Sequence, residues 1–135
     1  MKQSLSGSCL CGSVTFRISG EIEAFYLCHC SRCRKDSGSA HSSNLFLSGA
    51  DVSWLSGYDT IRTYRLPGTC HEKSFCPKCS SALPSIQADG AMAVVPAGSL
   101  DSELDCRPTA RICLASRAKW SEGWDEVEEI AGLPG

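Results

Sequence analysis

No block of five or more basic residues interrupts this chain, and its formal net charge is only −2. Nothing in that balance points to nucleic acid or an anionic membrane surface as a partner. Long apolar runs are missing as well. The longest, AMAVVPA at 91–97, is broken by Pro96 and too short to cross a bilayer. The opening MKQSLSGSC has no apolar stretch of the kind a secretory signal needs, so a cytoplasmic location is expected. No segment sustains a convincing helical period, and no linker or low-complexity tract is visible. With 135 residues, 42% of them hydrophobic, the chain is expected to form one domain, 1–135, around one core.

Cysteine is what the sequence has in excess. Ten of 135 residues are cysteine, a high share for a reducing compartment unless the thiols bind metal or do chemistry. Seven lie in three tight groups: Cys9 and Cys11 (C-x-C), Cys28, Cys30 and Cys33 (C-x-C-x-x-C), and Cys76 and Cys79 (C-x-x-C). A secreted disulfide scaffold is the rival reading, and buried free thiols a third. The chain is long enough for a core without staples, and closely spaced pairs suit chelation better than bridges between distant strands. Metal binding is therefore the reading carried forward.

Between the cysteines, apolar alternation and turn residues dominate, which predicts an all-β protein of short strands. Strands are expected at Ser13–Ser19, Glu23–Cys28, Ser42–Leu47, Val52–Leu55, Thr60–Leu66, Glu72–Phe75, Leu83–Gln87, Met92–Pro96 and Ala110–Ala115. SGAD, SGYD, LPGT, ADG and GSLDS read as turns between them. Ser31–Ser37, closed by Gly38, reads as a helical turn, and Trp124–Ile130 as a short terminal helix.

Ligand counting divides the seven thiols. Zinc takes four ligands at roughly 2.3 Å in closed structural sites and keeps one corner open in catalytic ones. In CPKC the turn folds Cys76 and Cys79 toward one point; in CLC an extended segment would put Cys9 and Cys11 on one face. Together these pairs make a closed four-thiolate site that would tie the first strand to the middle of the sheet. Cys28, Cys30 and Cys33 in CHCSRC then supply three ligands and leave a corner open. Pairing Cys9 and Cys11 with Cys28 and Cys30 is possible but strands Cys33 and a good knuckle. Iron also suits four thiolates; zinc is preferred, two ions per chain.

The other polar residues are read more plainly. His29, between two ligands, should point away from their metal and hydrogen-bond to backbone or solvent. His41, on a strand expected to face the second site, is a candidate acid, base or substrate contact. Arg32, Arg34 and Lys35 form a solvated face that could offset thiolate charge. Cys113 on an apolar strand is expected to be a core thiol, Cys106 to sit in a polar turn, and Cys70 beside His71 is a weak candidate ligand.

The order of motifs, GSCLCGSVTFRI, CHCSRCRKDSGS, SFCPKCSSAL, AGSLD and ASRAKW, resembles the glutathione-dependent formaldehyde-activating enzyme family, which includes centromere protein V. The resemblance runs from about Ser6 to Trp120. It implies a β-tent fold of layered antiparallel sheets. It also implies a structural zinc at Cys9, Cys11, Cys76 and Cys79, and a catalytic zinc at Cys28, Cys30 and Cys33. The implied activity is that of a carbon–sulfur lyase joining glutathione, or another small thiol, to formaldehyde or another small aldehyde. One departure stands out: where many members carry an aromatic residue in the late strand, this chain has Cys113, which would alter the pocket.

Two functions follow from these readings. In the first, a three-thiolate zinc, with one net negative charge, takes a substrate thiol as its fourth sulfur beside an aldehyde carbon, and His41 or a backbone donor handles the proton. In the second, the chain is a non-catalytic binding module whose open corner is closed by Cys70, His71 or a neighbouring subunit. The fourth ligand discriminates them.

Overall fold

A computed structural model describes residues 2–87 and 90–135. Among these residues nine strands make two sheets: β1 (Lys2–Ser8), β2 (Thr15–Cys28), β3 (Ser42–Ser56), β4 (Arg62–Arg65), β5 (Glu72–Phe75), β6 (Ala82–Leu83), β7 (Ser85–Gln87), β8 (Met92–Pro96) and β9 (Ala110–Ile112). The six-stranded sheet runs β1-β2-β3-β8-β7, and β9 pairs with β2; β4-β5-β6 form the smaller sheet. All pairings are antiparallel except β2 with β9. This is the expected all-β, β-tent layering of antiparallel sheets. Among the described residues no helix is long and apolar enough to cross a membrane.

β2 and β3 are the long spine, and each joins two segments that read as separate strands in the sequence. Gly20 and SGAD at 48–51 signal turns locally, yet the register passes from Ser19↔Asp51 to Glu21↔Ser48 with one extra residue in β3. That is a bulge, two residues facing one. A Cβ on Gly20 would lie 3.0 Å from the Ser48 carbonyl oxygen and 3.2 Å from the Ala50 Cα, so a side chain there would need β3 to give by a few tenths of an ångström. The bulge bends the ladder without ending it.

Alternation along these strands sorts the side chains. Phe16 and Ile18 of β2, Leu45 and Leu47 of β3, and Ala93 and Val95 of β8 are fully buried, and Leu45↔Val95 and Leu47↔Ala93 are direct cross-strand pairs. Each large one stabilises the fold by about 1.5–3 kcal/mol through burial. The intervening Asn44, Phe46, Val94 and Pro96 occupy the opposite face and line an open cleft.

Several local expectations give way to tertiary structure. Pro84 splits Leu83–Gln87 into β6 and β7, which belong to different sheets; proline lacks the ladder donor. β1, with Leu5 its one large buried side chain in a serine-rich segment, was not expected as a strand and is fixed by its pairing with β2. Ala110–Ala115 is strand only to Ile112. The expected helix at Trp124–Ile130 is a single 3₁₀ turn, Trp124–Glu126, capped by Gly123. Its apolar residues Val127 and Ile130 remain exposed, so no packing supports more turns.

Candidate functional site

The turn joining β1 to β2 carries Cys9 and Cys11. It is closed by Gly12 N–H to the Cys9 carbonyl (3.0 Å) and Cys9 N–H to the Val14 carbonyl (3.0 Å). This corrects the extended geometry expected for CLC: the two thiols converge because the chain reverses. The turn joining β5 to β6 carries Cys76 and Cys79, with Ser80 N–H donating to the Cys76 carbonyl at 2.7 Å and Ser80 itself left-handed (φ 64°). Leu10 N–H donates to Ser81 Oγ across the gap between the two turns at 2.8 Å.

The four sulfurs lie within 4.8 Å of one another. Cys9 and Cys11 are 3.6 Å apart and Cys11 and Cys76 3.9 Å. Those spacings suit tetrahedral coordination, where bonds of roughly 2.3 Å put sulfurs about 3.8 Å apart. Backbone amides face the sulfurs, Val14 N–H at 3.3 Å from Cys9 and Cys11 N–H at 3.4 Å from Cys79. The Ser81 hydroxyl and amide hold the Cys79 thiol down at about 5. At Cys9, burial pushes the pKa up, but the Val14 amide and the Ser13 hydroxyl outweigh it and the net shift is downward. The cluster joins the first hairpin of the large sheet to the small sheet, rather than to the middle of the large one.

The second cluster is local. Cys28 ends β2, and Cys30 is the N-cap of helix α1 (Ser31–Ser37), accepting from the Cys33 amide at 3.4 Å. The helix is fixed by that cap and by left-handed Gly38, whose N–H donates to the Arg34 carbonyl at 2.8 Å. Sγ atoms of Cys28, Cys30 and Cys33 also lie within 4.8 Å of one another. Burial first, then the neighbouring Cys33, pushes the Cys28 thiol far up; burial and Cys30 push Cys33 up. Cys30 goes down, because the Cys33 amide and its other hydrogen bonds outweigh burial. Thiols this close do not all ionise together without a cation, which is the behaviour of a donor set suited to a soft divalent metal. Among the described residues, no fourth Cys, His, Asp or Glu donor joins this group.

Cys33 and His41 line a cleft of about 480 Å³ that also takes in Asn44 and Phe46 from β3, Lys73 from β5 and His71 just before it. That volume is in the range of small-molecule sites. His41 Nδ1 is 3.2 Å from the Ser43 hydroxyl, and its ring stands 4.9 Å from that of His29. His29 corrects its expectation: it is 1% exposed, and both ring nitrogens lack a hydrogen-bond partner. Burial, then His41, Arg111 and Arg117, lowers its pKa. Arg32 and Lys35 are exposed, whereas Arg34 is half-buried and donates to the Ser116 carbonyl at 3.3 Å.

The cysteines outside the clusters separate. Cys113 is exposed and left-handed (φ 58°), not a core thiol, because β9 ends one residue earlier. Cys106 is half-buried against the core. Cys70 is exposed in the cleft wall. His71 pairs with Asp36 at 2.8 Å, and Asp36 and Lys73 are site residues that sequence reasoning missed.

Comparison with known proteins gives these motifs a context. The family described as glutathione-dependent formaldehyde-activating enzyme matches residues 4–116, a span that includes all seven clustered thiols. A Halomonas elongata protein named "Putative glutathione-dependent formaldehyde-activating enzyme" is 34% identical over 145 residues, covering 96% of this chain and 88% of that protein. A crystal structure of a Rhodobacter sphaeroides protein superposes with a TM-score of 0.55 at 18% identity, over 75% of this chain and 92% of that one. At that identity the likeness concerns the fold alone.

Proposed function

This chain belongs to the glutathione-dependent formaldehyde-activating enzyme family, and from that premise we propose that it is a carbon–sulfur lyase, forming or cleaving the adduct of a small thiol such as glutathione with a small aldehyde such as formaldehyde. The observation that carries the reading is the three-thiol cluster beside the cleft, without a fourth protein donor among the described residues. Cys9, Cys11, Cys76 and Cys79 would hold a structural zinc, and Cys28, Cys30 and Cys33 a catalytic one. Zinc at the second site would supply positive charge that keeps a substrate thiol, ordinarily titrating near 8.5, ionised at neutral pH.

The chain's own residues define the rest. Cys33, buried at the cleft edge, fixes where the thiol must enter. Phe46 and Val94 add apolar lining to the cleft, and Asn44 and Ser43 add hydrogen-bonding groups. His41, on the wall shared with Cys33, is a candidate proton carrier. The Arg34 bond to Ser116 steadies the helix that supplies Cys33. Incubating the zinc-loaded protein with glutathione and formaldehyde and following hydroxymethyl exchange by NMR tests the proposal. Exchange above the spontaneous rate, abolished by Cys30→Ser, supports it; an unchanged rate with both sites loaded removes this pair of substrates.

A further inference from the structure

In the cleft that Cys33 lines, a histidine is held by a carboxylate. Asp36 lies on α1 three residues beyond Cys33, and its Oδ2 is 2.8 Å from His71 Nε2, just before β5. The other carboxylate oxygen, Oδ1, is 3.1 Å from Lys73 Nζ, which also donates to the Asp36 carbonyl at 2.9 Å. Both side chains of the Asp36–His71 pair are about one-fifth exposed, at 19% and 20%. With Nε2 committed to Asp36, the neutral imidazole carries its proton there and presents an unprotonated Nδ1, for which no hydrogen-bond partner exists among the described residues. Among the described residues His41 has no such carboxylate; its ring contacts are the Ser43 hydroxyl and the rings of His29 and Trp124.

We propose that His71, oriented by Asp36, is the proton carrier of the thiol–aldehyde reaction, an inference that rests on the function proposed above. The step balances without any further reactant. Nδ1 of neutral His71 takes the proton of the entering thiol. The sulfur lone pair forms the C–S bond at the aldehyde carbon, and the carbonyl π pair moves to oxygen. That oxygen takes the proton back from Nδ1, giving the hydroxymethyl thioether and restoring neutral imidazole. In reverse, Nδ1 takes the hydroxyl proton, the oxygen pair re-forms the carbonyl as the C–S bond breaks, and the departing sulfur keeps that bond's electron pair and takes the proton back from Nδ1. Asp36 is a positioning residue: it fixes the tautomer and stabilises the imidazolium that exists between the two transfers.

The competing role for this trio is a clamp between α1 and β5. Lys73 already makes that clamp through two contacts, so the clamp and the proton carrier can be separated. His71→Gln keeps an amide donor for Asp36 but holds no transferable proton. In the zinc-loaded protein it is expected to lower kcat about 100-fold while leaving KM for glutathione within about two-fold. Metal content should not change. His71→Ala should be partly restored by added imidazole. In the wild type, ring ¹⁵N resonances of His71 should shift when S-methylglutathione is added as a probe. The inference is overturned if His71→Gln keeps kcat within about three-fold of wild type. Failure of imidazole to restore His71→Ala overturns it as well, as does indifference of the His71 resonances to the probe. A wild-type protein inactive with thiol and aldehyde removes the proposed function and this inference together; activity that survives in His71→Gln removes only this inference.

Discussion

The two thiol clusters of this chain use the same side chain for opposite ends. One gathers Cys9, Cys11, Cys76 and Cys79 from turns more than sixty positions apart and joins two sheets; the other takes Cys28, Cys30 and Cys33 from one strand end and the first turn of one helix. Loop closure across the first cluster is entropically costly, so whatever is bound there contributes its binding energy to the fold. Closing the second costs little, because the β2–α1 junction is already ordered by the Cys30 cap and Gly38. Under the proposed function, a site on which the fold depends less would be free to change its ligand during a reaction. The difference lies in how far apart the ligands are in sequence, not in their chemistry.

The largest effect expected from breaking this contrast is in Cys79→Ser. It removes one of four donors that link the sheets and should give an insoluble or unfolded chain. Cys30→Ser should fold, with a small change in melting temperature and no thiol binding. Metal counts and thermal melts on both variants check the pair; unfolding of Cys30→Ser alone would mean that the two assignments are reversed. Next in size is the order of metal loss. A mild chelator should empty the Cys28–Cys30–Cys33 site first and leave the circular dichroism unchanged, while release from the first site should coincide with melting.

A pH series sharpens the same contrast. The thiol of Cys79 is held down at about 5 by Ser81. A group whose pKa falls on folding contributes stability above its unfolded pKa, near 8.5 for cysteine, and loses it as pH falls through the folded value. Protons also compete with a bound metal for these thiolates, so melting temperature should decline as pH falls below roughly 8.5. Cys30→Ser should follow the same curve, since it leaves the first cluster intact. The smallest effect is that of Ser81→Ala. It removes the hydroxyl beside Cys79 and the acceptor for Leu10 N–H, costing on the order of 1 kcal/mol in denaturant unfolding. The same change should shift the decline toward higher pH.

The sequence makes the grouping of the seven thiols legible because the spacing that suits metal ligation is local. CPKC reads as a turn and is one. CLC reads as a pair but not as a reversal, because the turn depends on Val14 and Gly12 pairing back to Cys9. Glu72–Phe75 and Met92–Pro96 are strands at their expected limits. Gly20 and Gly49 could not be told from turn glycines, since a bulge is defined by the strand it faces. The Asp36–His71–Lys73 contacts span 35 and 37 positions and join a helix to a strand of the other sheet. No local pattern announces such a contact. Cys113 read as a core position because RICLA is apolar, yet the strand ends before it and the residue turns outward.

The claim that one cluster is closed and the other open can be read site by site by ¹¹³Cd NMR of protein reconstituted with cadmium, a thiophilic substitute for zinc whose shift reports the number of bound sulfurs. Two resonances of equal area are predicted, one at the position of four thiolates and one at that of three. Added glutathione should move only the second, toward the four-sulfur position. Two four-sulfur signals before any thiol is added, or a pair that glutathione leaves unmoved, would contradict the account.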